Sequence, residues 1–111
     1  MAGIICLYAV IHLDTAQRAA AYGEFARVLR QGGHALIAFH TSDADVAAGG
    51  AATVTEWWGC DVELTFRFLD PAAETRALAA AGLELVARLD RAPHPGVEHA
   101  SERTYLLLRR P

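Results

Sequence analysis

The stretch GIICLYAVIHLDTAQRAAAYGEFARVLRQGGHALIAFH, residues 3–40, decides the fold. Its first eight residues, Gly3 to Val10, are apolar at every position and include β-branched Ile and Val, as a strand buried on both faces requires. Such a strand implies a sheet with helices over both faces. Asp14 follows as an N-cap with Gln17 three positions on, a capping-box spacing that predicts a helix from about Thr15. Ala21, Tyr22, Phe25, Val28 and Leu29 then recur at three- and four-residue intervals, so one helical face is apolar. Gly32-Gly33 supplies a helix stop, and HALIAFH, His34 to His40, reads as a second apolar strand. Strand, helix, strand is the signature of a parallel crossover unit.

Downstream, Thr41 to Thr55 is rich in Ala, Gly, Ser and Asp without a clear period, which reads as a long mobile connection, with the insertion as a whole covering about 41–58. Val62, Leu64, Phe66 and Phe68 alternate with polar residues and predict an extended segment with its aromatic side inward. Asp70-Pro71 is an N-cap with Pro at the first helical position, and Gly82 closes the short helix that follows. Leu83 to Leu89 alternates as a further strand. After a Pro- and Gly-bearing loop from Ala92 to Glu102, Thr104 to Leu108 forms the last one, expected antiparallel to its predecessor.

Composition narrows the function classes. At 111 residues, with 53% hydrophobic and 21% charged residues, the chain is a single domain of globular composition. Its net charge is −3 and its basic residues are scattered, so no phosphate-binding stripe exists and nucleic acid is not expected as a partner. The apolar run at the start is well short of the roughly 20 residues that span a bilayer, so a membrane is not expected either. Cys6 and Cys60 stand far apart, outside any Cys-x-x-Cys spacing, and fit reduced thiols in the cytosol.

The order of these features resembles the second half of the class I S-adenosylmethionine-dependent methyltransferases. In that family a helix ending in R-x-L-x-P-G-G precedes the fifth strand; here RVLRQGG precedes HALIAF, with Gln31 in place of Pro. ICLYAVIHL is similar to the family's fourth strand and its following turn, and Asp70-Pro71 and the terminal strand pair fall in order. The resemblance covers residues 1–111 as one partial domain, family strands four to seven, and implies an α/β fold: a partial doubly wound sheet, mixed, with antiparallel strands at its end. The family's first three strands, its glycine-rich loop and its acidic ribose ligand have no counterpart. Gly32-Gly33 ends a helix rather than opening one, and Gly49-Gly50 follows no strand, so neither can cradle the cofactor.

The resemblance implies methyl transfer to a small molecule with S-adenosylmethionine as cofactor, and implies that the isolated chain is inactive. The carboxyl ends of the first two strands are where ligands gather in such sheets. That places Tyr8, Ala9 and His12 beside the cofactor and makes His12 and His40 candidate bases, each with a purely structural alternative. Trp57 and Trp58 could form an aromatic lid over a substrate, or pack in the core. By position, Glu98, His99 and Arg103 in the last loop would border the substrate. The run His94 to His99 holds two imidazoles and a carboxylate, but no further ligand clusters with them and no metal is expected.

One partner expectation follows from physics. The family's fourth strand pairs with its first, which is missing, so residues 3–10 form an apolar sheet edge without charge or Pro. Such an edge predicts a homodimer or pairing with a separate N-terminal half. A noncatalytic dimerising or interaction module is the alternative function.

Overall fold

Asp14 determines where the first helix begins. In the structure, a computed structural model describing residues 1–43, 50–57, 60–98 and 100–111, Asp14 Oδ1 accepts from the Gln17 backbone N–H at 2.8 Å, and Gln17 Oε1 accepts from the Asp14 N–H at 2.9 Å. This reciprocal cap satisfies two donors that the first turn would leave bare. Helix α1 runs Thr15–Val28, after strand β1, Gly3–Leu7, and a 3-10 turn at Val10–His12. The chain leaves α1 through Gly32, at φ +82°, and Gly33, where a Cβ would lie 3.0 Å from the carbonyls of Ala2 and Arg30. Only glycine permits so close a return.

Strand β2, His34–Asp43, pairs parallel to β1 from Gly3↔His34 to Leu7↔Ala38. Strands β3, Ala51–Trp57, and β4, Cys60–Arg67, form a separate antiparallel pair. Helix α2, Pro71–Ala80, starts on the Asp70 cap and ends at Gly82, φ +94°. Strands β5, Glu84–Arg91, and β6, Ser101–Arg109, are antiparallel, and the main sheet has the order β1-β2-β6-β5. The result is an open, mixed α/β sheet.

Two expectations change. The stretch 41–55 carries the end of β2 and most of β3, because backbone pairing with β4 orders a sequence whose small residues show no period. The helices also cover one face of the sheet only among the described residues. Tyr22 and Leu29 from α1, Leu78 from α2, Ala35, Ile37 and Phe39 from β2, and Leu106 and Leu108 from β6 form a single buried cluster. On the opposite face the register aligns Ile5, Leu36, Leu107 and Ala87 in one row and Leu7, Ala38, Tyr105 and Leu89 in the next. Ile5 is 74% exposed and Leu89 58%. An all-apolar β1 is the sequence of a strand covered on both sides, and the second cover is not supplied by the elements described.

The two helices are clasped by a buried polar triad. Arg18 Nε donates to Glu74 Oε1 at 2.9 Å and Tyr22 Oη donates to Glu74 Oε2 at 2.8 Å. Arg18 Nη1 also donates to the Leu13 carbonyl at 2.7 Å, so the triad ties α2 to the start of α1.

Candidate functional site

The end of β1 turns on an unusual residue. Tyr8 has φ +56°, in the left-handed region that side chains disfavour, and no glycine relieves it. Such strain costs of order ~1–3 kcal/mol and persists only where the surroundings fix it. Here they do so at four points. The Tyr8 N–H donates to the Ala38 carbonyl at 2.8 Å. Its ring stacks on His40, with centroids 4.8 Å apart, and the Arg103 guanidinium lies 5.7 Å from the ring centre. Its hydroxyl lies 2.8 Å from that of Tyr105.

Around this ring the strand ends converge. β6 runs antiparallel to β2, so its beginning, Ser101 and Arg103, lies beside the end of β2, and Arg91 closes β5 next to them. Glu98, in the loop joining β5 to β6, is the hub. It accepts from Arg91 Nη1 at 2.6 Å and Nη2 at 3.0 Å, from Arg103 Nη1 at 2.8 Å and from the His94 backbone N–H at 3.0 Å. These charge-assisted bonds, Arg91 foremost, hold the Glu98 carboxyl down at about 2 and push the Arg91 guanidinium up. Ser101 Oγ lies 2.6 Å from His40 Nδ1 and accepts from Arg103 Nη2 at 3.3 Å. Arg91 Nη2 also donates to Tyr105 Oη at 3.1 Å. That bond, then the one with Tyr8, lowers the Tyr105 pKa, whereas burial raises that of Tyr8.

Of the residues singled out from sequence, Tyr8, His40, Glu98 and Arg103 therefore meet in one cluster, with the exposed Ala9 beside it. His12 stands apart: its Nδ1 is 3.3 Å from the Thr65 carbonyl and its ring meets the Phe66 edge at 4.9 Å, so it packs against β4. Trp57 is the last residue of β3, opposite Cys60; its side chain, and Trp58 and His99 entirely, lie outside the described residues. Arg91 and Tyr105 are cluster members that sequence reading passed over. Their signal was the strand alternation that puts Arg103 and Tyr105 on one face, combined with the β5 to β6 register.

A second feature is a cleft of about 310 Å³ between the hairpin and the two helix starts, lined by Thr15, Arg18, Arg67, Phe68, Asp70 and Glu74 among others. Its charges are largely committed, Glu74 to the triad and Asp70 to the cap of α2.

S-adenosylmethionine presents two ribose hydroxyls that a carboxylate typically binds. Near the β1 end, Glu98 is held by two arginines and Asp14 caps α1, so neither of these carboxylates is open to such a pair of hydroxyls. Among the described residues no group of three or more His, Cys, Asp or Glu could hold a metal ion, and no helix is long and apolar enough to cross a membrane.

No family model and no curated protein matches the chain. Solved structures do. An S-adenosylmethionine-dependent methyltransferase from Methanosarcina mazei superposes with a TM-score of 0.79 at 10% identity, over 99% of this chain and 59% of that one. The 1,6-didemethyltoxoflavin-N1-methyltransferase of Burkholderia thailandensis, solved with 1,6-didemethyltoxoflavin and S-adenosylhomocysteine, gives 0.71 at 15%, over 98% and 43%. The glycopeptide N-methyltransferase MtfA bound to S-adenosylmethionine gives 0.66 at 16%, over 100% and 58%. The chain thus spans about half the length of the structures it matches, and over that span it has the fold of part of an S-adenosylmethionine-dependent methyltransferase, a Rossmann-like sheet left open along β1.

Proposed function

We propose that the chain is the substrate-side half of an S-adenosylmethionine-dependent methyltransferase, acting in the cytoplasm on a small-molecule acceptor, and inactive until a cofactor-binding half completes it. The observation that carries this reading is the coincidence of the unpaired β1 edge with the bare apolar face beside it. Both lie along the side of the sheet where the family's first three strands and their helices would continue it, and the matched structures have the extra length to do so. The completing segment belongs to the same polypeptide or to another. At the strand ends, Tyr8 and Ala9 would form the near wall of the cofactor site. His40, Glu98 and Arg103 would border the acceptor.

A second reading rests on the same edge. Two copies could pair β1 to β1 about a two-fold axis, making a noncatalytic dimerising module. Calorimetric titration with S-adenosylhomocysteine, run beside light scattering, separates the two. The half-enzyme reading expects no binding by the isolated chain and association that falls when Ile5→Lys places a charge on the bare face. Tight binding by the isolated chain would contradict the half-site. A discrete dimer of the isolated chain, silent to the cofactor and retained when a completing half is supplied, would favour the module.

A further inference from the structure

Two phenol hydroxyls meet on the face of the sheet away from the helices and share a single hydrogen bond, Tyr8 Oη to Tyr105 Oη at 2.8 Å. Arg91 Nη2, 3.1 Å from Tyr105 Oη, can only donate. Of the two hydroxyl protons one is therefore spent within the pair, and the other points out of it whichever ring donates. Among the described residues, the charged and titratable groups facing the pair are Arg91 from β5, Arg103 from β6, Glu98 from the loop between them, and the His40 imidazole from β2. The Arg91 guanidinium, donating directly to Tyr105 Oη, favours a negative oxygen there.

We propose that the Tyr8–Tyr105 pair is an acid–base site for a protic ligand, an O–H or N–H nucleophile, with the Tyr105 oxygen as proton acceptor. The step is a simple exchange. The ligand's X–H bond breaks with its electron pair left on X, an O–H bond forms on the Tyr105 phenolate, and the negative charge passes from that oxygen to X. No oxidant or further reactant is needed. The backbone bond to Ala38 and the stack on His40 fix Tyr8 and so the partner hydroxyl, and Arg91 favours the phenolate through its hydrogen bond. Naming the ligand as the methyl acceptor rests on the function proposed above; the proton chemistry does not.

The test is a spectroscopic titration of the 111-residue chain and its variants. Of the three tyrosines, one should ionise below the ordinary tyrosine value of about 10, contributing one third of the tyrosinate signal. Tyr105→Phe should abolish that early third, and Arg91→Met should return it to the ordinary range. In a second arm 4-nitrophenol, whose anion is coloured, is mixed with the chain: the wild type should draw it toward the anion and Tyr105→Phe should not. Ionisation of Tyr105 at or above the ordinary value overturns the proposal. Early ionisation with no effect on 4-nitrophenol overturns the ligand assignment. Circular dichroism reports whether Tyr105→Phe is folded, and Arg91→Met supplies both arms if it is not. Neither arm uses cofactor or turnover, so failure here and failure of the methyl-transfer reading are separate results.

Discussion

Replacing Glu74 by alanine should be among the most damaging single changes to this fold, and its size follows from the triad. Glu74 is 4% exposed and receives both the Arg18 guanidinium and the Tyr22 hydroxyl. Without it, Arg18, itself 9% exposed, keeps the Leu13 carbonyl and a long contact to Thr15 Oγ1 at 3.4 Å but loses its counter-charge. Breaking a buried ion pair from one side costs ~3–5 kcal/mol. The stranded Tyr22 hydroxyl adds ~1–3 kcal/mol. The two losses share one cavity and do not simply add, so about 4 kcal/mol is expected, a large part of the ~5–15 kcal/mol that stabilises a typical domain. Urea unfolding would show it as a midpoint lowered by about 2 M at unchanged slope, taking a slope of ~2 kcal/mol per molar. The triple variant Arg18→Met, Tyr22→Phe, Glu74→Leu removes every polar partner together and should recover most of the loss. A midpoint shift under about 0.5 M for Glu74→Ala, or a triple variant weaker than the single, would refute the argument.

Three further outcomes can be checked. The Glu98 carboxyl is held at about 2, below its ordinary 4.5, so the stability it lends the 91–103 network is present above 4.5 and lost as pH falls from there through 2. Protection of the backbone amides of residues 94 and 96–98 against hydrogen exchange, taken relative to the unfolded chain at the same pH, should fall over that window, and Glu98→Gln should show the low protection already at neutral pH. Burial, and next the charge of Glu74, push the Tyr22 pKa far above 10; its contribution is full below 10 and is lost as pH rises beyond, so alkaline titration should lower the melting temperature, and Tyr22→Phe should blunt that decline. Asp14→Ala removes the reciprocal cap of α1 and should cost about 1 kcal/mol in chemical denaturation, with Asp14→Asn losing far less.

Much of the fold could be read from local chemistry. The cap at Asp14 and Gln17, the helix stop at Gly32 and the Asp70-Pro71 start are each encoded within a few residues, and the structure places them as read. Strand β3 was not legible, because AATVTEW alternates apolar with polar only over Ala52 to Thr55, with small side chains, and follows an Ala- and Gly-rich run; what orders it is pairing with β4. The candidate site divides the same way. Tyr8 and His40 could be found because they end apolar strands. His12 sits at the end of a similar run, yet it belongs to the hairpin packing, which only the path of β4 reveals. Tyr105 and Arg91 were hidden because their partners are non-local: Tyr8 and Tyr105 are 97 positions apart, and nothing near either residue announces the other.

The place of β6 has a consequence for how the chain is made. Residues 101–109 come last among the described elements, yet they lie in the interior of the sheet, between β2 and β5. During vectorial synthesis β2 must wait, its edge unpaired, until residues 101–109 have emerged, and α1 and α2 have no finished surface to settle on. Folding of the sheet is therefore governed by long-range pairing, slow by comparison with helix formation. The nascent chain carries two open edges through that interval, β1 on one side and β2 on the other. A chaperone that shields extended apolar segments would act on both, and only the second is closed by β6.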